Sequence, residues 1–164
     1  MILIGIGSNL VHPPAHSPRA TAEAALAALP AAGIRVVALS GWYSSEPVPV
    51  SDQLWFVNAV AAVATGLAPE ALLSRLLRLE VEFGRIRGAR NAARTLDLDL
   101  LDYDSRRCET ATLTLPHPRL HLRRFVLEPL SEIAPAWRHP RLGLTAAELL
   151  AGLPSSQQVE RLDP

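Results

Sequence analysis

The chain has 164 residues, of which 49% are hydrophobic, and its 16 basic and 16 acidic residues give a formal net charge of zero. This length suits one domain with a sizeable core, and the neutral charge argues against a broad nucleic-acid-binding surface. All 16 basic residues are arginines, which excludes a phosphate-binding loop built around a lysine.

Signals for export or membrane insertion are not found in the sequence. The single cysteine, Cys108, cannot form an intrachain disulfide, which fits a reducing compartment. The apolar run at residues 1–4 lacks basic residues and is too short for a signal peptide. Apolar stretches all fall short of the ~20 residues of a membrane span. We therefore expect a cytoplasmic protein.

Five elements are predicted in the first half of the chain. They are a buried strand at 1–8, a helix at 18–29, a strand region at 34–45, a strand at 55–65 and a helix at 69–83. Ser17 followed by Pro18 is typical of a helix start, and Pro69 marks the start of the second helix. Strand alternation places Phe56 and Asn58 on the same face.

A stretch of alternating aspartate and leucine at 94–104 predicts a strand with two different faces. One face carries Asp97, Asp99, Leu101 and Tyr103, and the other carries Leu96, Leu98, Leu100 and Asp102. The leucines can enter a core, which leaves Asp97 and Asp99 side by side, about 7 Å apart at their Cα atoms. Two carboxylates this close repel each other unless a cation lies between them.

Four arginines precede this pair without an intervening acid: Arg85, Arg87, Arg90 and Arg94. Mg²⁺ takes one or two protein carboxylates and fills its shell with water and phosphate oxygens, while the planar arginine side chains bind phosphate. A solvated edge strand beside a basic loop is the commoner meaning of an isolated D-x-D. Because the opposite face is leucine and the arginines adjoin, we predict a Mg²⁺-polyphosphate site.

The element order βαββαβ predicts an α+β fold of the ferredoxin-like type, a sandwich whose antiparallel sheet has its helices on one face. The other face is then free to carry the aspartate pair together with Phe56 and Asn58. A C-terminal helical extension is expected to follow, with a short strand at 113–115, a helix in the second half of 119–134, and a helix from the capping box at 145–148 to about 153. We expect residues 1–164 to form a single domain with a frayed tail from about 154.

Several side chains allow two interpretations. Phe56 beside Asn58 could stack on and hydrogen-bond a flat heterocycle, or both could be ordinary packing. Glu80 falls in the last turn of its helix, where a carboxylate is unfavourable, so it is either partnered by a ligand or an arginine, or solvated. Phe125 is more typical of a core position, and Arg123 of a solvated face.

The histidine pair His117 and His121 has the spacing of a helical zinc site. Pro118 follows His117 directly and no glutamate adjoins it, which excludes an H-E-x-x-H motif. His117 is better interpreted as a hydrogen-bond donor to phosphate or as a turn residue.

Together these motifs resemble one family, the 6-hydroxymethyl-7,8-dihydropterin pyrophosphokinases of folate biosynthesis. The resemblance is carried, in order and with matching spacing, by 6–10 (IGSNL), 42–48 (WYSSEPV), 56–60 (FVNAV), 80–87 (E-x-x-x-G-R-x-R), 94–100 (RTLDLDL), 115–117 (LPH) and 123–125 (R-x-F). It covers roughly residues 2–135, and it implies the ferredoxin-like sheet expected above.

The resemblance also implies an activity: Mg²⁺-dependent transfer of the β,γ-diphosphate of ATP to the pterin 6-hydroxymethyl oxygen, leaving AMP. It implies that Asp97 and Asp99 hold two Mg²⁺ ions and that Arg85 and Arg94 assist the transfer. The implied ATP-binding residues are Glu80, Arg87, Arg94, His117 and Arg123. The implied pterin-binding residues are Ser45, Val48, Phe56, Asn58 and Phe125, with the ring stacked between the two phenylalanines. Segments 46–53 and 85–93 are implied to close over the substrates.

Two other functions could use the same fold. An RNA-binding or regulatory module could use the same sheet face, but the neutral charge and the single candidate stacking residue there, Phe56, argue against it. Another Mg²⁺-dependent phosphoryl or nucleotidyl transferase would release ADP or free diphosphate instead of AMP. We expect a monomer that binds ATP and the pterin, and neither nucleic acid nor a membrane.

Overall fold

The computed structural model describes residues 1–86 and 92–164, so the predictions for Arg87 and Arg90 lie outside the described residues. The described strands and α-helices are, in order, β1 Ile2–Ser8, α1 Pro18–Ala28, β2 Arg35–Leu39, β3 Tyr43–Ser45, β4 Phe56–Ala64, α2 Pro69–Glu82, β5 Asp97–Tyr103, β6 Cys108–Glu109, β7 Thr114–Leu115, α3 Arg124–Ile133, α4 Ala146–Ala151 and β8 Val159–Arg161. Two short 3₁₀-helices lie at Pro30–Ala32 and Leu120–Leu122. None of the described helices is long and apolar enough to cross a bilayer.

An antiparallel sheet of six strands forms the centre of this mixed α/β structure. Neighbouring strands follow the order β5-β1-β4-β3-β8, and β2 also pairs with β4. The predicted strand region 34–45 forms two strands, because the regular strand ends before Ser40 and a new one begins at Tyr43. The Ser40 hydroxyl accepts a hydrogen bond from the Val60 N–H at 3.0 Å, and its N–H donates to the Val60 carbonyl. β2 and β3 therefore pair with different halves of β4.

Local sequence signals set two helix starts as predicted. Ser17 Oγ accepts a hydrogen bond from the Ala20 N–H at 3.0 Å, and Pro18 is the first residue of α1. Thr145 and Glu148 exchange the two hydrogen bonds of a capping box at the start of α4. Both predictions are confirmed.

The first face of the sheet packs against α1 and α2. Its core includes Ile2, Ile4 and Ile6 from β1, Leu72, Leu76 and Leu79 from α2, and Leu98 and Leu100 from β5. The spacing of the α2 leucines keeps them on one side of the helix. The leucine face of β5 is therefore buried here, as the alternation predicted.

The second face is only partly covered. α3 and α4 pack on it, with Val126 and Leu130 of α3 lying among Leu3 and Leu101 of the sheet. The prediction of helices on one face thus holds for α1 and α2, whereas the C-terminal extension crosses to the opposite face. The rest of this face stays open and carries the candidate site.

Because of a β-bulge, the predicted faces of β5 are wrong for the residues after Leu101. The register of β1 against β5 shifts by one residue, which leaves Leu101 as an extra residue and reverses the alternation after it. Asp102 therefore turns to the second face, where its Oδ2 accepts a hydrogen bond from Trp137 Nε1 at 2.8 Å, and burial raises its pKa. Tyr103 enters the first core instead.

The expectation of a frayed tail from about residue 154 is wrong. β8 pairs antiparallel with β3, and the Leu162 N–H donates to the Trp42 carbonyl at 2.8 Å. The reason is tertiary: a strand this short gains its hydrogen bonds from a partner more than a hundred positions away in the chain.

Candidate active site

A cavity of about 310 Å³ lies on the open part of the second face, beside the start of α3. Ten residues predicted from the sequence line it: Ser45, Val48, Phe56, Asn58, Arg94, Asp97, Asp99, His117, Arg123 and Phe125. We call Arg94, Asp97, Asp99, His117, Arg119 and Arg123 the charged end of the cavity. We call Ser45, Val48, Phe56, Asn58 and Phe125 its aromatic end. Arg85 and Glu80 lie behind the lining, in contact with it through Asp97 and β5.

The floor of the cavity is a row of three residues that crosses the sheet. Gly7 on β1 lies between Asp97 on β5 and Asn58 on β4. A Cβ atom at Gly7 would lie 3.2 Å from Asn58 Oδ1, which is a crowded contact, and 3.8 Å from Asp97 Cβ, which is an ordinary one. Gly5 lies opposite Asp99 on the same strand, with Val60 on its other side. Gly7 therefore keeps the space between Asp97 and the Asn58 amide open.

Asp97 is held by two arginines that approach it from the preceding loop. Arg85 Nη1 lies 3.0 Å from Asp97 Oδ1, and Arg94 Nη1 lies 2.8 Å from Oδ2. Burial, followed by the nearby charge of Asp99, raises the pKa of Asp97, and both arginines oppose that rise. The predicted juxtaposition of the arginines with the carboxylate pair is therefore present.

Glu80 is only 3% exposed and supports β5 from behind. Its Oε1 accepts a hydrogen bond from the Leu98 N–H at 2.7 Å, and its Oε2 pairs with Arg85. Leu98 is the residue between Asp97 and Asp99, so this bond fixes the backbone at the middle of the pair. Burial raises the pKa of Glu80 from 4.5 to about 7. Of the two interpretations left open, the partnered one is correct, and the partner is an arginine.

Asp99 faces a different set of groups from Asp97. Its Oδ2 accepts a hydrogen bond from Arg123 Nη1 at 3.2 Å and lies 3.9 Å from His117 Nε2. The two aspartates thus stand in separate cationic environments, one supplied by the loop before β5 and the other by the segment before α3.

His117 is a neutral hydrogen-bond donor at neutral pH. Burial, followed by the charges of Arg123 and Arg119, lowers its pKa from 6.5 to about 4. Its Nδ1 accepts a hydrogen bond from the Arg119 N–H at 3.2 Å, which leaves the proton on Nε2. Nε2 is the atom that points toward Asp99 in the cavity, so His117 can donate a hydrogen bond to an oxygen placed there.

The aromatic end has its own arrangement of polar and aromatic groups. Asn58 Nδ2 donates to Ser45 Oγ at 2.6 Å, which turns Asn58 Oδ1 toward Gly7 and the cavity floor. Phe56 and Phe125 line the cavity from β4 and α3. Phe125, which sequence alone favoured as a core residue, is half-buried, and the Arg123 guanidinium carbon lies 5.4 Å from its ring centre. A flat ring with hydrogen-bonding edges fits this set of groups.

Two lining residues, Arg119 and Leu122, were missed by sequence reasoning. Arg119 lines the cavity, and within the described part of the chain no carboxylate pairs with it. Leu122 also lines it, as does Glu46, which lies in the predicted closing segment 46–53. The signal for Arg119 was a second arginine in the segment that carries His117 and Arg123.

Asn9 has a supporting role that the sequence also did not reveal. It is fully buried; its Oδ1 accepts the Arg94 N–H at 2.7 Å, and its Nδ2 donates to the Leu54 carbonyl at 3.1 Å. Asn9 therefore joins the end of β1 to the loops on both sides of the cavity. The signal was the asparagine of IGSNL at the end of a buried strand.

The donor atoms at the charged end suit a hard cation. Among the described residues, no group of three or more His, Cys, Asp or Glu side chains could hold a metal ion. Mg²⁺ needs only one or two carboxylates when substrate phosphates and water complete its shell. Asp97 and Asp99 are such a pair, with 22% and 31% of their side chains exposed, so the residues fit Mg²⁺ brought with a polyphosphate.

A model of the 7,8-dihydro-6-hydroxymethylpterin-pyrophosphokinase family matches residues 3–135. The chain belongs to this family. The match spans β1 through α3, and so includes every strand and loop that contributes to the charged and aromatic ends of the cavity.

Curated relatives agree with this family over most of the chain. The 2-amino-4-hydroxy-6-hydroxymethyldihydropteridine pyrophosphokinase of Pseudomonas aeruginosa is 42% identical over 164 residues, covering 98% of this chain and 96% of that protein. The proteins of the same name from Synechocystis sp. and Methylorubrum extorquens are 42% and 43% identical, over 90% and 80% of this chain and 73% and 81% of their own lengths.

Proposed function

We propose that this chain transfers the β,γ-diphosphate of ATP to the 6-hydroxymethyl oxygen of 6-hydroxymethyl-7,8-dihydropterin, in folate biosynthesis. The hydroxymethyl oxygen forms a bond to the β-phosphorus, the bond from that phosphorus to the α,β-bridging oxygen breaks, and AMP leaves with that oxygen. The hydroxyl proton passes to water, so one proton is released in each turnover. The observation that carries this proposal is one cavity with a charged end fit for a polyphosphate and an aromatic end fit for a flat ring.

The charged end would bind and orient the phosphates. Arg85 and Arg94, which now pair with Asp97, and Arg123, which pairs with Asp99, can turn to phosphate oxygens when a cation takes over the carboxylates. His117 donates from Nε2, and Arg119 adds a cation at the cavity wall. Glu80 acts on ATP through Arg85 and the backbone of β5.

The proposal includes two Mg²⁺ ions, which would be held by Asp97 and Asp99. Bound there with ATP, Mg²⁺ would supply neutralisation of the phosphate charge. The protein's own part is to fix both carboxylates on one rigid strand, tethered at Leu98 by Glu80, so that the phosphates are oriented before reaction.

The aromatic end would bind the pterin. We propose that the ring stacks between Phe56 and Phe125, and that Asn58 and Ser45 hydrogen-bond its edge while Val48 covers it. The segment that contains Val48 lines the cavity from Glu46 to Pro49, which supports its predicted closure over the substrates. Closure would exclude water from the reacting diphosphate.

The fold expected from the sequence is also part of the proposal. The strand order β5-β1-β4 with β2 and β3 on the far side, and α1 and α2 on one face, supports a ferredoxin-like βαββαβ arrangement. A single domain at 1–164, a monomeric state and a cytoplasmic location stay predictions.

A product assay tests the proposed function directly. The protein is incubated with ATP, Mg²⁺ and 6-hydroxymethyl-7,8-dihydropterin, and the nucleotides and pterins are separated by chromatography. We expect AMP and a pterin diphosphate in equal amounts, and far less of both products in a reaction with Asp97→Ala. ADP would indicate phosphoryl transfer and free diphosphate would indicate nucleotidyl transfer, and either result would overturn the proposal.

A further inference from the structure

Two walls of the cavity are joined by the C-terminal segment, defined here as residues 156–161. On one side, β8 pairs with β3, where Val159 lies opposite the cavity residue Ser45. The Glu46 N–H donates to the Gln158 carbonyl next to it, at 3.3 Å. On the other side, the side chain of Gln157 reaches the backbone at the start of α3.

Gln157 makes two hydrogen bonds that flank Arg123. Its Oε1 accepts the Arg124 N–H at 2.8 Å, and its Nε2 donates to the Leu122 carbonyl at 2.8 Å. Arg123 is the N-cap residue of α3, and within the described structure its own side chain does not cap the helix. Gln157 supplies the acceptor that the first N–H of a helix otherwise lacks. It holds this backbone although it lies more than thirty positions away in the chain.

The backbone held in this way carries residues of both ends of the cavity. Arg123 Nη1 contacts Asp99 Oδ2, and the Arg123 guanidinium lies over the ring of Phe125. A change in the direction of the chain at residues 122–124 would therefore move a cation at the charged end and a ring at the aromatic end together. Direct contacts between the C-terminal segment and the reacting groups are not required for such an effect.

We propose that Gln157 is a positioning residue for the reaction: it fixes the start of α3 so that Arg123 and Phe125 meet their ligands. This inference rests on the proposed function for what those ligands are. The family match ends at residue 135, and the sequence predicted only a frayed tail here. Both hydrogen bonds of Gln157 are therefore features of the tertiary structure alone.

The test compares Gln157→Ala with Gln158→Ala in the full chain. Gln158 is an adjacent glutamine with an exposed side chain, and the hydrogen bond of its carbonyl to Glu46 does not depend on that side chain, so it controls for the loss of an amide. Gln157→Ala loses both hydrogen bonds, and we expect it to raise the KM for the pterin and for ATP by roughly three- to tenfold, the range for a net loss of hydrogen bonding. Gln158→Ala should match the wild type.

A third variant separates positioning from simple destabilisation. Gln157→Glu keeps an acceptor for the Arg124 N–H, and its charge is favourable at a helix N-terminus, but it loses the donor to the Leu122 carbonyl. We expect the rise in KM in Gln157→Glu to be about half of the rise in Gln157→Ala. Should Gln157→Ala fail to fold, the comparison of Gln157→Glu with Gln158→Ala decides the question.

Amide hydrogen exchange at Arg124 gives a readout that needs no turnover. In Gln157→Ala, the amide proton of Arg124 should exchange roughly three- to tenfold faster than in the wild type, while the exchange rate of the Ala62 amide in the sheet stays unchanged. Faster exchange with unchanged KM values would show that Gln157 has a structural role only. Unchanged exchange with unchanged KM values would show that it has neither a structural nor a positioning role. Either result overturns the proposal. A wild type that exchanges as expected but makes no pterin diphosphate would instead overturn the proposed function.

Discussion

The charged end of the cavity, around Asp97 and Asp99, and its aromatic end, around Phe56 and Phe125, are held in place by different interactions. At the charged end, ion pairs with arginines and a buried carboxylate at Glu80 fix the side chains. At the aromatic end, a short hydrogen bond from Asn58 to Ser45 fixes the polar groups beside the two rings that line the cavity. The first set responds to protonation and to bound cations, and the second mainly to shape.

This difference matters because both ends are built on the same face of the same sheet. In the row Asp97–Gly7–Asn58, only Gly7 separates a residue of the charged end from one of the aromatic end. Gly7 supplies that separation without a side chain of its own. Apart from Arg123 and Phe125, which contact each other, substitutions at one end should leave ligand binding at the other end nearly unchanged, and the predictions for the carboxylates, Phe56 and Arg119 test that independence.

The largest effect is expected from removing a carboxylate at the charged end. Asp97→Ala or Asp99→Ala should lower turnover by at least about 10³-fold, because several kcal/mol of charge stabilisation depend on the ions these residues would hold. Pterin binding without ATP should change little. Rate assays would measure turnover, titration would measure pterin binding, and circular dichroism would check that the variants are folded.

Asp163→Ala is a suitable control, since Asp163 is an exposed aspartate near the C-terminus. It should keep wild-type turnover. Near-normal activity in both Asp97→Ala and Asp99→Ala, with folded protein, would contradict the assignment of these residues to the ions.

At the aromatic end, Phe56→Ala should weaken pterin binding by about 1–3 kcal/mol, roughly 5- to 150-fold, the range for a lost stacking partner. ATP affinity should stay within about twofold of the wild type. Calorimetric titration with each ligand would test this. Trp55→Ala removes a neighbouring, more exposed ring that does not line the cavity, and should leave both affinities unchanged. Equal losses for ATP and the pterin in Phe56→Ala would refute the stacking role.

A change of pH should alter the contribution of the charged end to stability, through the Glu80 carboxyl group, but not that of the aromatic end. Its pKa in the folded protein, about 7, lies above its value of 4.5 in an unfolded chain, so the folded state holds the extra proton between these values. The contribution of Glu80 to stability is thus complete below about pH 4.5 and is lost as the pH rises through 7.

Glu80→Gln cannot ionise, so its stability relative to the wild type should be more favourable at pH 8 than at pH 5, by about 1–3 kcal/mol. Urea unfolding of both proteins at the two pH values would measure the difference. Phe56→Ala, at the uncharged end, should show the same stability difference from the wild type at both. A pH-independent difference for Glu80→Gln would mean that its carboxyl does not gain a proton on folding.

The smallest effect is expected from Arg119→Ala. Arg119 is exposed at the cavity wall, so a contact with a phosphate oxygen there should be worth about 0.5–1 kcal/mol, a two- to fivefold loss of ATP affinity. Pterin affinity should be unchanged. Arg107→Ala gives the same change in net charge in the turn beyond the far end of β5. If both variants lost ATP affinity equally, the effect would be one of overall charge and not of a contact.

Much of the fold and the candidate site could be predicted from local pattern. Helix starts at Ser17 and Thr145 follow from capping chemistry that acts within four residues. The alternation of leucine with Asp97 and Asp99 assigns the two faces of β5 correctly up to the bulge. Residue type also identified the aromatic and amide side chains of β4.

Other features depend on groups far apart in the chain, and no local pattern encodes them. The bulge at Leu101 arises from the register against β1, and it sends Asp102 to Trp137 rather than into the leucine core. Phe125 packs against the edge of the second core and also lines the cavity, because α3 crosses to the second face of the sheet.

The sequence by itself therefore determined which chemical groups this protein has and which of them share a strand face: the carboxylate pair, the arginines and the ring beside an amide. Only the tertiary structure decided which arginine meets which carboxylate, where the proton of His117 lies, and that Gln157 holds the start of α3. The physical reason is that alternation and capping act over a few residues, whereas ion pairs and backbone hydrogen bonds between elements depend on how the sheet and helices pack.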